Sequence, residues 1–376
     1  MPMRPLYATP IALRSPPNPL QRARRVLFNV VFALLALAIH SFQLAFLPLR
    51  AAQTLAKEAF ASVLVLIVAV FGPTTLVITT DDTVPLEHLV VRGPTGDVVG
   101  LRLQRQAVWI ANHQMYADWI YPWIALSLAG VSSGLVIVLK AALEWAPLVG
   151  PAMQLFHFCF INNTTKPLSS SNLARVAADA ARRGEPYQCL LFPEGTLYSP
   201  LTRPKSKAFA DKEGIPDTTH VLLPRSLGLF YTLRTLRGIF PSLVLYDLTL
   251  AYAGVGAQGY AQDYYRLQTL FGLGVAPPRV HLHVRAVRVA DDVPLADQGD
   301  FERWLRQRWR DKDELMARFG ETGRFDGGTE AVPGGRGSAE IAVRLRWSDL
   351  ARLAAVVVAL GAWGAFARWS WAWVRG

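Results

Sequence analysis

The chain has 376 residues, 52% hydrophobic and only 18% charged, and 39 Lys and Arg against 28 Asp and Glu give it a net charge of +11. That length carries two or three domains' worth of core, and soluble proteins average about 25% charge, so a disordered or purely soluble chain is excluded. The positive balance favours anionic partners such as headgroups or phosphates, and with only two cysteines, Cys159 and Cys189, a disulfide-rich scaffold is excluded as well.

Residues 1–25 are rich in Pro and Arg and read as a flexible basic N-terminus. Val26–Leu49 then carries no Lys, Arg, Asp or Glu, which is long enough to enter or cross a bilayer. A second uncharged run, Ala59–Thr80, makes 26–80 a pair of membrane helices. Its Pro73 would kink a helix, so a shallow hairpin fits as well as two clean spans. The late start, the length and the second run argue against a cleaved signal peptide.

Residues 81–325 have the pattern of a folded domain. β-Branched and apolar runs predict strands at Ala107–Ile110, Leu135–Leu139, Cys189–Phe192, Val221–Leu223, Leu243–Ala251 and Val280–Val287. Helical patterns at Ser171–Arg183 and Tyr260–Phe271 separate some of them, an alternation that implies an α/β sheet covered by helices. Asp300–Phe319 is amphipathic: Phe301, Trp304, Leu305 and Trp309 share a face, and Gly320 is a natural stop. A Gly-rich linker occupies 326–340, and a membrane-associated tail occupies 341–376. Within that tail Leu353–Val374 is apolar, interrupted by Arg368, with Trp363, Trp369, Trp371 and Trp373 suited to a lipid–water interface. Arg344, Arg346 and Arg352 beside it, with the basic N-terminus, predict a domain that faces the cytosol.

The densest chemical cluster is Asn112-His113-Gln114-Met115-Tyr116-Ala117-Asp118, directly after the strand pattern VWIA. On a regular helix, residues five apart lie about 140° from each other and cannot meet. His113 and Asp118 meet if His113 sits in the loop and Asp118 in the first turns of the following helix. The carboxylate would then fix the imidazole tautomer and make His113 a general base for a hydroxyl. A second cluster, Phe192-Pro193-Glu194-Gly195-Thr196, follows another strand end. Its Gly permits close backbone approach, and its carboxylate can accept bonds from a polyol.

The pairing of NHxxxxD with FPEGT, about 80 residues apart, resembles the glycerolipid acyltransferases. Lys140–Asn162, Leu222–Leu229, Leu243–Gly254 and Val280–Val287 extend the resemblance over roughly 81–325, and FPEGTLYSP is most similar to the branch that acylates lysophosphatidylinositol and lysocardiolipin. The resemblance implies a central mixed sheet flanked by helices. It implies that His113, held by Asp118, deprotonates a glycerol hydroxyl that attacks acyl-CoA. It also implies substrate binding by Asn112, Glu194, Gly195, Thr196, Pro224, Arg225 and Lys140. The expected partners are acyl-CoA as co-substrate, a lysophospholipid and membrane lipids, with no cofactor, no metal and no nucleic acid. The expected location is the endoplasmic reticulum membrane. Many members carry arginines where this chain has Asn163 and Leu197, which favours an acceptor bearing a headgroup over simple lysophosphatidate. The alternatives are a 1-acylglycerol-3-phosphate acyltransferase of de novo synthesis and a non-catalytic lipid-binding membrane protein.

Three other patterns are decoys. Gly130-Val131-Ser132-Ser133-Gly134 matches a nucleophile elbow, but a helix precedes it and a strand follows, the reverse of what the elbow needs. Gly254-Val255-Gly256-Ala257-Gln258-Gly259 matches a dinucleotide fingerprint but lacks the acidic residue about 20 positions on. His281 and His283 share a strand face without a third metal ligand at suitable spacing. Asn162 and Asn163 begin glycosylation sequons that a cytosolic domain leaves unmodified.

Overall fold

The computed structural model describes residues 4–146, 149–161, 170–326 and 337–375. Asn162, Asn163 and most of the Gly-rich linker lie outside these residues. The strands are β1 (Thr75–Thr80), β2 (Val90–Arg92), β3 (Val98–Leu101), β4 (Gln106–Ala111), β5 (Leu135–Lys140), β6 (Cys159–Ile161), β7 (Tyr187–Leu191), β8 (Val244–Tyr252), β9 (Arg279–Arg288) and β10 (Ser338–Ala342). All but β2 and β3, which pair separately, join one mixed sheet in the order β10-β1-β9-β8-β4-β7-β5-β6. Strands β4 to β8 run parallel, so the residues that follow β4, β5, β7 and β8 gather at one edge. Strand β9 turns back antiparallel to β8, β1 lies parallel to β9, and β10 closes the far side antiparallel to β1.

Alternation along β4 divides the core into two layers. Ala107, Trp109 and Ala111 pack toward the helices Arg50–Phe71 and Ile120–Leu128. Val108 and Ile110 pack toward the helices Ser170–Arg183, Ser226–Arg237 and Gln298–Thr322.

The sheet reaches beyond residues 81–325 at both ends. The second uncharged run is not a single membrane segment. Its helix, Arg50–Phe71, covers one face of the sheet, and 61% of its most apolar stretch is buried. Pro73 stands outside that helix, and the β-branched stretch Thr75–Thr80 that follows pairs with β9 and β10. The sheet therefore takes strands from outside 81–325: β1 from the expected helix pair, and β10 from the expected linker and tail.

Residues 4–18, before the first long helix, make specific contacts with the domain. Arg14 Nη2 donates to the Tyr264 carbonyl at 2.7 Å, and the Tyr7 carbonyl accepts from the Tyr265 hydroxyl at 2.9 Å. The helix Pro19–Ala45 starts at a reciprocal cap between Asn18 and Gln21. It leaves Val26, Leu27, Val30, Leu34 and Leu37 exposed. The C-terminal helix Trp347–Arg375 docks through the fully buried Asp349, which accepts from Ser62 Oγ at 2.9 Å and from Arg346 Nε at 3.1 Å. Arg352 reaches Glu58 on the second apolar helix at 3.3 Å. Beyond these contacts the helix exposes Val357, Val358, Trp363, Phe366, Trp369 and Trp371.

Two further expectations fail for local reasons. Val221–Leu223 is not a strand. Asp313 accepts the backbone N–H groups of Thr219, His220 and Val221 at 2.6–3.1 Å, and Ser206 Oγ accepts that of Leu223 at 3.1 Å. With its donors captured by side chains, the segment has no sheet edge to join. Tyr260–Phe271 breaks into one turn, Ala261–Tyr264, and a π-turn, Gln268–Gly272, because Tyr265 adopts an extended backbone and sends its hydroxyl to the Ala253 carbonyl.

The amphipathic helix runs Gln298–Thr322, past the expected stop at Gly320, and ends at Gly323. Gly320 serves close approach instead: a Cβ there would lie 2.7 Å from the Cβ of Ala257. The buried face holds Phe301, Leu305, Trp309, Leu315 and Phe319, and also Lys312. Lys312 Nζ lies 2.5 Å from Asp247 Oδ1 on β8 and also donates to the Leu248 carbonyl. Burial lowers the pKa of this ammonium, and Asp247 pulls it back. Lys312→Ala is expected to cost about 3–5 kcal/mol by stranding the Asp247 charge, and Lys312→Met with Asp247→Leu to recover most of it. Chemical denaturation of the purified protein in micelles measures both.

His281 and His283 are wall residues of this layer. His281 packs against Phe319 at 4.9 Å, and His283 Nδ1 lies 3.1 Å from Thr79 Oγ1. Burial lowers both to about 4, so the folded protein keeps them neutral while the unfolded chain takes up protons below about 6.5. Their contribution is present above pH 6.5 and is lost as pH falls toward 4. A His281→Gln/His283→Gln variant should lose less thermal stability than the parent between pH 7 and 5. Equal losses in a melting series would show that these rings do not titrate as described.

Candidate active site

His113 lies just past β4, and Asp118 lies in the turn immediately before the helix Ile120–Leu128. That turn brings residues five apart together. His113 Nδ1 is 2.7 Å from Asp118 Oδ2, which also accepts the backbone N–H groups of Gln114 at 2.6 Å and Met115 at 3.0 Å. The Tyr252 hydroxyl, at the end of β8, donates to Oδ1 at 2.5 Å. The Asp118 side chain is completely buried, whereas that of His113 remains 20% exposed. Asp118 occupies Nδ1, so Nε2 is the nitrogen left for an incoming hydroxyl. The imidazole stacks on Phe192, with ring centres 4.4 Å apart.

Glu194 approaches from below. It is 2% exposed, and its Oε1 accepts the backbone N–H of His113 at 3.3 Å. Burial raises its pKa well above the usual carboxylate range, against the opposing pull of the His113 and Leu222 N–H groups, the Trp309 indole and Lys312. Glu194 Oε1 thus braces the His113 loop from inside. Gly195 and Thr196 are the half-buried residues of this turn. Gly195 has φ +68°, and a Cβ on it would meet the Arg225 side chain at 3.3 Å. Arg225 is exposed, and its backbone N–H donates to the Pro193 carbonyl at 2.8 Å, which ties Pro224 and Arg225 to the FPEGT turn.

Asn112 differs from the substrate-binding expectation. It is fully buried, and its amide is spent on β8: Nδ2 donates to the Leu250 carbonyl at 3.0 Å, and Oδ1 accepts the Leu250 N–H at 2.7 Å. It sews the end of β4 to β8. Lys140 closes β5 on the same sheet edge, exposed and two strands from β4, about 10 Å away by strand spacing. Leu197, directly after the FPEGT turn, is buried. Ser132 lies in a 3-10 turn between a helix and β5, so it has no elbow. Sequence reasoning missed Tyr252, Asp247 and Lys312. The two β8 residues sit in an apolar strand pattern and Lys312 in a charged helix, and their partners are 134 and 65 residues away.

A partly exposed imidazole backed by a buried carboxylate can take a proton from a hydroxyl and later return it to a leaving group. Comparison with known proteins gives the family. Residues 91–244 match the family model Acyltransferase, and residues 273–347 match the model Acyltransferase C-terminus. The chain is 34% identical over 271 residues to an uncharacterized acyltransferase of Schizosaccharomyces pombe, covering 72% of this chain and 75% of that one. It is 34% identical over 255 residues to the 2-acyl-1-lysophosphatidylinositol acyltransferase of Saccharomyces cerevisiae, covering 59% of this chain and 64% of that one. It is 35% identical over 234 residues to lysocardiolipin acyltransferase 1 of Danio rerio, covering 62% of this chain and 57% of that one. The chain belongs to the glycerolipid acyltransferase family and is an O-acyltransferase.

Proposed function

We propose that the protein transfers an acyl chain from acyl-CoA to the free glycerol hydroxyl of a lysophospholipid, with a lysophosphatidylinositol as the acceptor. The observation that carries this reading is the 2.7 Å contact between His113 Nδ1 and the buried Asp118, with the imidazole still reachable from outside. His113 Nε2 takes the hydroxyl proton as the oxygen attacks the thioester carbonyl. The C–S bond breaks, and the imidazolium returns its proton to the departing thiolate. Asp118 keeps its charge throughout and stabilises the imidazolium. The relatives named for lysophosphatidylinositol and lysocardiolipin support an acceptor with a headgroup. So does the buried Leu197 at a position that would otherwise offer a phosphate clamp.

The membrane arrangement proposed here is monotopic for the N-terminal pair. The helix Arg50–Phe71 is tied to the domain at both ends, by Arg50 to Glu185 and by Phe71 through Phe28 to Phe271. The apolar face of Pro19–Ala45 and the outer part of the C-terminal helix are then the surfaces that meet lipid. The domain would face the cytosol at the endoplasmic reticulum. Protease added to intact microsomes should digest the domain, and protection until detergent is added would refute that orientation.

Thiol release from oleoyl-CoA by the full chain in micelles tests the reaction itself. Lysophosphatidylinositol, lysophosphatidate, lysophosphatidylcholine and lysocardiolipin are offered separately. Lysophosphatidylinositol should give the highest kcat/KM, and His113→Ala should lower the rate by about 10²–10⁴-fold. Highest kcat/KM for lysophosphatidate would move the protein to de novo phosphatidate synthesis. No release with any acceptor, from folded protein, would leave only lipid binding.

A further inference from the structure

We propose that Tyr252 is a positioning residue of this site: its hydroxyl fixes the Asp118 carboxylate so that His113 keeps one tautomer and one orientation. The inference rests on the assignment of His113 and Asp118 as the proton-transfer pair. It concerns a residue 134 positions from Asp118 in the chain and on another strand.

The two oxygens of Asp118 divide their work. Oδ2 takes the imidazole Nδ1–H and the N–H groups of Gln114 and Met115. Oδ1 takes the Tyr252 hydroxyl at 2.5 Å. A buried carboxylate is costly unless both oxygens are satisfied, and bonds to a charged acceptor are the strong ones. Rotation of a carboxylate about its last torsion is soft and nearly two-fold, so donors on one oxygen alone leave its plane loosely set. A donor on the second oxygen removes that freedom, and with it the swing of the imidazole.

Tyr252 is itself held rigidly. It ends β8, which pairs directly with β4, the strand that delivers His113. It is 2% exposed. Its ring packs between Tyr121 at 5.9 Å and Tyr265 at 6.2 Å. Asn112 fixes the spacing of the same two strands by bonding both polar groups of Leu250. The strand ends, and so the hydroxyl and the carboxylate, are locked in register. Burial and the Asp118 charge raise the phenol pKa well above 10, so the hydroxyl remains a donor throughout the working range.

A double-mutant cycle with the full chain in micelles, using acyl-CoA and the best acceptor of the panel, tests the assignment. Tyr252→Phe keeps the ring and removes the bond. It should lower kcat on the order of 10-fold, as the loss of one charge-assisted hydrogen bond predicts, with the KM of both substrates unchanged. In an Asp118→Ala background the same change should cost nothing further, because Tyr252 acts only through Asp118. The double variant also lacks the stranded buried charge, so it remains measurable where Tyr252→Phe alone lowers the melting temperature. An unchanged kcat in Tyr252→Phe, a loss confined to KM, or a full second loss in the Asp118→Ala background would each overturn the positioning role. Full activity of Asp118→Ala would instead bring down the proton-transfer assignment itself, so the two failures are distinct.

Discussion

Burying the Asp118 carboxylate is the constraint on which the site depends. A charge with no access to water must find protein donors, and Asp118 has four: one imidazole, one phenol and two backbone N–H groups. Two of these come from the turn between His113 and Asp118, so the carboxylate shapes the loop that presents the base. The other two are the base itself and the end of a neighbouring strand. The buried anion thus couples the local turn to the sheet, and the imidazole inherits its orientation from both.

The layer beneath repeats the same logic with opposite charge. Lys312 enters the core from the amphipathic helix and is satisfied by Asp247 and by carbonyl and hydroxyl groups of β8. Glu194 lies close enough to feel that ammonium and to hold the His113 backbone. A buried ion pair contributes little net stability, but breaking one costs several kcal/mol. Such a pair fixes the helix on the sheet in one register. That register places Trp309 and Met316 under the loops that carry the chemistry.

Apolar sequence serves two purposes in this chain, and the distinction explains its composition. The helix Arg50–Phe71 looks like a membrane span by length and hydropathy, yet most of its apolar surface is core. The helices Pro19–Ala45 and Trp347–Arg375 are mostly exposed along their most apolar stretches, and each presents several large apolar side chains on its outer face. An exposed apolar surface of this extent calls for a non-aqueous neighbour. A water-insoluble substrate and a greasy outer face are consistent requirements of one site.

Much of the fold was legible in the sequence. Five of the six predicted strands form, because β-branched runs bounded by turns depend on local preference and alternation. The one geometry in which His113 and Asp118 could meet, a loop followed by a helical turn, was legible too, although Asp118 stands in the turn just before the helix rather than inside it. The strands at Thr75–Thr80 and Ser338–Ala342 were not legible, because one is the tail of an apolar run and the other a short edge pairing. Nor was the bracing role of Glu194, the spent amide of Asn112, or the partnership of Tyr252 with Asp118. Sequence by itself determined the residue types and most of the local elements, which follow from composition and short-range spacing, while the reaction class came from the resemblance of its two motifs to a known family. Tertiary structure alone decided which polar groups meet in the core. Those meetings depend on strand order and register, and a pairing across 134 residues leaves no periodic trace in the chain.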